Sequence, residues 1–140
     1  TIMQSTRDYL LKYGIRPSVQ RIAVMNYLMT HSTHPTVDEI YLALIDDIPT
    51  LSRTTVYNTL KLLVGHGAVA AMDIDRQCER FDADISLHAH FMCDECGCIT
   101  DIPVSDDGPW MACAPQGSSI RSMNINYKGL CARCLENKRN

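Results

Sequence analysis

The chain has 140 residues, 46% of them hydrophobic, which suits one ordinary domain or two small ones and excludes wholesale disorder. Its net charge of −3 excludes a uniformly basic surface, although Lys and Arg outnumber acids in two segments, residues 1–21 and 51–61. No apolar run approaches the roughly 18 residues of a membrane span and no signal peptide is evident, so we expect a cytoplasmic protein with no membrane partner.

The first eighty residues are typical of four helices followed by a hairpin. A helix is predicted from about Ser5 to Tyr13, with Gly14 as its C-terminal cap. The next three helices each follow a residue that can cap a helix N-terminus, namely Ser18, Thr36 and Ser52. Glu39 completes a capping-box pattern in the third helix, and Gly67 is expected to end the fourth.

Two strands, Val69–Ile74 and Cys78–Phe81, are predicted next, around a turn at Asp73–Gln77. Helices and a hairpin in this order make a winged helix-turn-helix. Arg and Asn can read base edges, Lys and hydroxyls suit phosphates, and an aromatic ring can meet thymine methyls. The predicted DNA-binding residues are Arg16, Arg21, Arg53, Thr54, Thr55, Tyr57, Asn58 and Lys61. An ordinary solvated helix face is the alternative, since helix-turn-helix patterns are weak signals.

The sequence changes character after Asp82, and we predict two domains, residues 1–82 and 83–140. The second is expected to contain short strands, a loop or short helix, and a terminal helix. In chain order these are strands 88–93 and 98–102, the irregular segment 103–118, an alternating strand Ser119–Tyr127, and a helix Cys131–Lys138. The predicted fold class is therefore α+β.

Seven cysteines in a chain without a signal peptide favour metal ligation or thiol chemistry over a disulfide framework. Four of them form two Cys-x-x-Cys pairs, Cys93 with Cys96 and Cys131 with Cys134. Four thiolates suit a tetrahedral structural zinc, which leaves no position open for water. A redox pair or unligated thiols are the alternatives.

The other three cysteines lie outside this pattern and are interpreted as free thiols, namely Cys78, Cys98 and Cys113. Because Cys98 is two residues from Cys96, it can alternatively be an oxidisable neighbour of the zinc site.

A second group of possible ligands combines imidazoles and carboxylates. His88 and His90 are two apart on a predicted strand and so face the same side of it. Asp101 lies on the following strand, Asp82 lies at the junction between the domains, and His34 belongs to the first domain. Three nitrogens and two carboxylates suit divalent iron, manganese or zinc. Solvated surface residues are the alternative.

Four stretches together identify a resemblance to the ferric uptake regulator family: GIRPSVQR at 14–21, THPTVDEIY at 33–41, SRTTVYNTL at 52–60 and HAHFMCDECG at 88–97. The resemblance covers nearly the whole chain. It implies an N-terminal winged helix, a C-terminal α/β dimerisation domain, and a homodimer that binds palindromic double-stranded operator DNA when loaded with metal.

Within that family the sequence is most similar to the peroxide-sensing branch. The branch's regulatory ligands match His34, Asp82, His88, His90 and Asp101, and both carboxylates are Asp, whereas iron-sensing relatives usually have Glu at one or both of these positions. The resemblance implies structural zinc, regulatory Fe(II) or Mn(II), and an imidazole of His34 or His88 as the target of peroxide. The histidine that many iron regulators have near position 123 is absent here, which weakens the case for their additional metal site.

Three alternatives remain open at this stage. The nearest is an iron- or manganese-responsive repressor of the same family that does not sense peroxide. A hydrolytic zinc enzyme is disfavoured because five protein ligands leave little space for substrate, and no general acid or base motif remains. A thiol oxidoreductase needs a reactive, metal-free thiolate. We expect no enzymatic activity and no small-molecule substrate.

Overall fold

A computed structural model describes residues 2–72, 79–86, 88–104, 108–120 and 123–139. Contacts divide the chain into two compact units, Thr1–Ile85 and Ser86–Asn140. Both contain helices and a small sheet, so the predicted α+β class is confirmed. The predicted turn at 73–77 and Cys78 lie outside the described residues. No helix within those residues has the length and apolar character needed to cross a bilayer.

The first unit begins with the four predicted helices. They are α1 at Ile2–Lys12, α2 at Val19–Thr30, α3 at Val37–Leu44 and α4 at Arg53–Gly65. The three expected N-caps are confirmed, because each side-chain oxygen accepts the backbone N–H three residues on. The bonds join Ser18 to Arg21, Thr36 to Glu39, and Ser52 to Thr55, at 3.2, 3.2 and 3.0 Å. Gly67 follows α4 with a φ of +79°, a left-handed conformation that glycine adopts without strain.

A two-stranded antiparallel sheet completes this unit. Its strands are β1 at Ala70–Met72 and β2 at Arg80–Asp82, with Ala71 opposite Phe81. Strand β2 continues one residue past the predicted end, and this places Asp82 on the strand itself. The helices and hairpin enclose one apolar core, formed by Leu10, Ile15, Val24, Met25, Leu28, Ile40, Leu51, Val56, Leu60, Leu63, Ala68, Val69 and Phe81.

The second unit is a three-stranded mixed sheet with two short helices. In chain order its elements are β3 at His88–Cys93, β4 at Ile99–Pro103, α5 at Pro109–Ala112, β5 at Ile125–Gly129 and α6 at Ala132–Arg139. Strand β3 is central; it pairs antiparallel with β4 and parallel with β5. Among the described residues of this unit, the buried apolar side chains are Ala89, Cys93 and Cys134.

The predicted strand Ser119–Tyr127 is wrong at its described upstream residues, 119, 120, 123 and 124. Pairing with β3 begins only at Ile125, which lies opposite Ala89. Ile120 is exposed and belongs to no strand. The alternation of apolar residues therefore begins before the residues that pair with β3. The start of the strand is set by hydrogen bonding to its neighbour and not by the apolar pattern.

Candidate metal centres and nucleic-acid interface

The four cysteines of the two Cys-x-x-Cys pairs meet in the second unit. Their sulfur atoms all lie within 4.8 Å of one another, and the Sγ atoms of Cys96 and Cys131 are 3.9 Å apart. A tetrahedral zinc with Zn–S bonds of about 2.3 Å requires sulfurs about 3.8 Å apart. The donor set and the spacing therefore fit zinc.

Parallel pairing of β3 with β5 brings the two pairs together. Cys93 ends β3 opposite Gly129, and the N–H of Asp94 donates to the carbonyl of Gly129 at 2.7 Å. Gly97, with a φ of +75°, turns the chain back after the first pair, and its N–H bonds the Cys93 carbonyl. In the second pair, Cys131 directly precedes α6 and Cys134 lies in the first turn of that helix, shortly after β5.

Backbone N–H groups stabilise the thiolate form of Cys93 in this cluster. The N–H groups of Cys96 and Cys131 donate to Sγ of Cys93 at 3.5 and 3.4 Å. These bonds lower the pKa of Cys93 to about 6. A hydrogen bond with Cys131, and then burial, raise the pKa of Cys134 to about 12. Because neighbouring thiolates repel one another, a divalent cation is needed to hold all four sulfurs ionised.

The six described cysteines are all free of disulfides. Cys98 is exposed and lies across the hairpin from Cys93, whose N–H donates to the Cys98 carbonyl at 3.0 Å. Residues opposite one another in an antiparallel pair point to the same face, so Cys98 is a neighbour of the cluster. Cys113 is exposed on the loop after α5.

His88, His90 and Asp101 form a second group in the same unit. The two imidazole rings face one side of β3 with centroids 4.5 Å apart, and Asp101 lies opposite His90 on β4. Oδ1 of Asp101 is 3.4 Å from Nε2 of His90 and 3.8 Å from Nε2 of His88. The imidazoles are 7–9% exposed and the carboxylate 42%, so the nitrogens are shielded and the oxygens face solvent.

One orienting contact was missed from the sequence. Nδ1 of His88 lies 2.8 Å from the carbonyl of Ser86. A carbonyl can only accept, so Nδ1 donates its N–H there, and Nε2 is the ring nitrogen that faces Asp101 and can bind a metal. Backbone bonds of this kind fix the tautomer of metal-binding histidines. The sequence could not predict this contact, because every residue has a backbone carbonyl whatever its side chain.

His34 and Asp82 form the corresponding pair in the first unit. Nε2 of His34 is 3.5 Å from Oδ2 of Asp82, and both side chains are buried. The Pro35 carbonyl accepts the N–H of Phe81, and Arg80 donates to the His34 carbonyl at 3.0 Å. These bonds attach the His34 segment to β2. His34 itself has a φ of +56°, a costly conformation outside glycine that surrounding contacts must impose.

The face of α4 that the sequence predicts to bind DNA is exposed to solvent. Thr54, Tyr57 and Asn58 are exposed, while Val56 and Leu60 are buried in the core. The Tyr57 side chain, 43% exposed, is free to contact a partner.

The other predicted DNA-binding residues already make internal contacts. The hydroxyl of Thr55 bonds that of Ser52 at the start of α4, and Arg21 donates to the Arg16 carbonyl at 2.8 Å. Arg53 and Lys61 each pair with an acid.

A winged-helix unit with an exposed polar helix, joined to a unit with a cysteine cluster and shielded imidazoles, is typical of a metal-binding regulator of transcription. The sequence profile of the ferric uptake regulator family matches residues 12–125. The chain belongs to the ferric uptake regulator family.

Relatives agree with that membership. The chain is 34% identical over 129 residues to the peroxide-responsive repressor PerR of Staphylococcus epidermidis, covering 91% of this chain and 86% of that protein. It is 28% identical to PerR from Streptococcus pyogenes, whose structure gives a basis for peroxide sensing and gene regulation by that protein, with a TM-score of 0.53 over 94% of this chain and 92% of that one. The Helicobacter pylori ferric uptake regulator shares the fold, with a TM-score of 0.73 at 20% identity over 96% and 91% of the two chains.

These findings confirm the coarse prediction of function. The protein is a metal-dependent transcriptional repressor and not an enzyme, so the hydrolase and oxidoreductase alternatives are excluded. The predicted cofactor classes are confirmed by donor chemistry: thiolates for zinc, and imidazoles with carboxylates for Fe(II) or Mn(II).

Proposed function

We propose that this repressor senses peroxide through a regulatory Fe(II) and releases palindromic operator DNA when one of its histidine ligands is oxidised. The observation that carries the proposal is the pairing of buried imidazoles with aspartates in both units, His34 with Asp82 and His90 with Asp101. Similarity to peroxide-responsive repressors supports it.

The proposed regulatory site combines both groups. His34 and Asp82 come from the first unit, and His88, His90 and Asp101 from the second. An ion held by all five residues would fix the angle between the DNA-binding and dimerisation domains, which we take as residues 1–82 and 83–140 with a hinge near Asp82. Metal that binds only the DNA-competent arrangement shifts the population towards it.

The chain's own residues set up the chemistry. Fe(II), when bound, supplies the one-electron reduction of peroxide that Mn(II) does not readily give. The N–H of Nδ1 that His88 donates to the Ser86 carbonyl orients Nε2 as the metal-binding nitrogen, and the half-exposed carboxylate of Asp101 leaves the group accessible to a small oxidant. His34 or His88 is the proposed target of oxidation. Because an oxidised imidazole is a poor ligand, the metal then leaves and the protein releases its operator.

Helix α4 is proposed to enter the major groove of the operator. Arg53, Tyr57 and Asn58 are placed nearest the bases, because they lie on the exposed face of the helix near its N-terminal end. Phosphate contacts are assigned to the remaining predicted residues, Arg16, Arg21, Thr54, Thr55 and Lys61.

A homodimer is proposed through the second unit. Within the described residues β5 is an edge strand of its sheet, a position from which a strand can pair with a second copy, and its Tyr127 is exposed. Two copies related by a two-fold axis match a palindromic operator. We place the repressor in the cytoplasm, where such DNA lies.

The metal part of this proposal is tested by operator binding of the Mn(II)-loaded protein and its variants. Asp82→Ala and Asp101→Ala should each lose Mn(II)-dependent binding while keeping one zinc per chain. Asp47→Ala, an exposed acid outside both groups, is the matched control. If either aspartate variant binds operator and Mn(II) as well as the control, that residue is not a ligand.

A further inference from the structure

The two cationic side chains of α4 are held by acids from neighbouring segments. Nε of Arg53 lies 2.8 Å from Oδ1 of Asp38, and the guanidinium lies over the Tyr41 ring at 4.3 Å. Nζ of Lys61 lies 3.5 Å from Oε1 of Glu79. Both positive charges of the recognition helix are therefore partly neutralised within the protein.

The acids lie on the face that would meet DNA. Asp38, Tyr57 and Glu79 line one cavity of about 300 Å³ with Thr36 and Val37. The exposed Tyr57 side chain thus shares this cavity with both acids. DNA carries one negative charge per 1.7 Å of helix axis, so carboxylates here oppose binding unless something offsets them.

We propose that Asp38 and Glu79 set the operator affinity by competing with DNA phosphates and bases for Arg53 and Lys61. The inference rests on the proposed role of α4 in DNA binding. Arg53 and Asp38 are 56% and 69% exposed, so their pair can open. Ion pairs this exposed change an equilibrium constant by about 1.5- to 5-fold, so the acids should lower operator affinity without preventing operator binding.

The exchange has a signature in salt dependence. Salt weakens the ion pair within the protein as well as the contact with DNA, so a cation that must leave a carboxylate for a phosphate shows a smaller net dependence on salt. Without the carboxylate, the same contact gives net release of one ion. The slope of log affinity against log salt should then steepen for each acid removed, by a fraction of the roughly 0.9 that one whole phosphate contact contributes.

The experiment measures operator affinity of the Mn(II)-loaded dimer from low to moderate salt. Asp38→Asn and Glu79→Gln should each bind about 1.5- to 5-fold more tightly at low salt, with the steeper slope. Asp47→Asn removes the same charge from the turn after α3 and should leave the slope unchanged. Since Asp38 also lies in the first turn of α3, thermal melting confirms that each variant is folded.

A double variant distinguishes the effect of the Asp38–Arg53 ion pair from the effect of a change in net charge. In an Arg53→Gln protein, Asp38→Asn should no longer steepen the slope, because the cation it restrains is gone. If Asp38→Asn weakens operator binding, Asp38 positions Arg53 instead of competing for it, and the inference is wrong. Unchanged affinity and slope in both single variants would equally overturn it. A wild-type protein that binds no operator would refute the proposed function as well.

Discussion

Zinc should decide whether the second unit folds at all. Its described buried apolar side chains are small, Ala89 together with the ligands Cys93 and Cys134. A fully buried Leu or Phe contributes only about 1.5–3 kcal/mol, and ordering each residue costs about 1–2 kcal/mol of backbone entropy. Structural zinc contributes an apparent 10–16 kcal/mol or so, comparable with the roughly 5–15 kcal/mol stability of a whole domain.

Cys96→Ser should therefore unfold the second unit and abolish the dimer, while the first unit keeps its own core. The measurements are zinc content, sedimentation, and amide hydrogen exchange resolved by segment. Protection should disappear from β3 and β5 and persist in α2 and α4. Cys98→Ser is the matched control, since Cys98 lies beside the cluster but outside the four ligands. A Cys96→Ser protein that keeps its zinc and its dimer would refute this reasoning.

Three further outcomes are expected. Tyr57→Ala should weaken operator binding roughly tenfold and leave metal content unchanged, whereas Leu42→Ala, which removes an exposed apolar side chain from α3, should leave binding intact; equal affinities would remove Tyr57 from the interface. Ser52→Ala should destabilise the first unit by about 1 kcal/mol in denaturant titration, because α4 loses its N-cap, and an unchanged midpoint would contradict that role. Asp101→Glu should keep metal-dependent operator binding but respond more weakly to peroxide, since a longer side chain alters ligand placement; a wild-type response would argue against it.

Local chemistry made much of the fold predictable from the sequence. Ser18, Thr36 and Ser52 each cap the predicted helix because the residue type and its spacing from the first apolar positions are sufficient signals. The spacing of the two Cys-x-x-Cys pairs likewise predicted the thiolate cluster, since zinc restricts which residues can serve as ligands.

Features that depend on tertiary pairing were not predictable. The start of β5 is set by its register with β3, which alternation at Ile120 does not report. The left-handed backbone of His34 and the carbonyl that orients His88 leave no pattern in residue types. The ion pair of Arg53 with Asp38 was likewise not predictable, because the two residues lie on different helices.

The most direct test of the central claim is operator binding by the Fe(II)-loaded protein before and after brief exposure to peroxide, with peptide mass spectrometry of the same samples. We expect the Fe(II) form to release the operator and to gain one oxygen atom on His34 or His88, and the Mn(II) form to keep both its operator and unmodified histidines. Oxidised Cys98 or Cys113 with intact histidines would contradict iron-catalysed sensing. An Fe(II) form that still holds its operator after peroxide would instead identify a metal-responsive repressor without peroxide sensing.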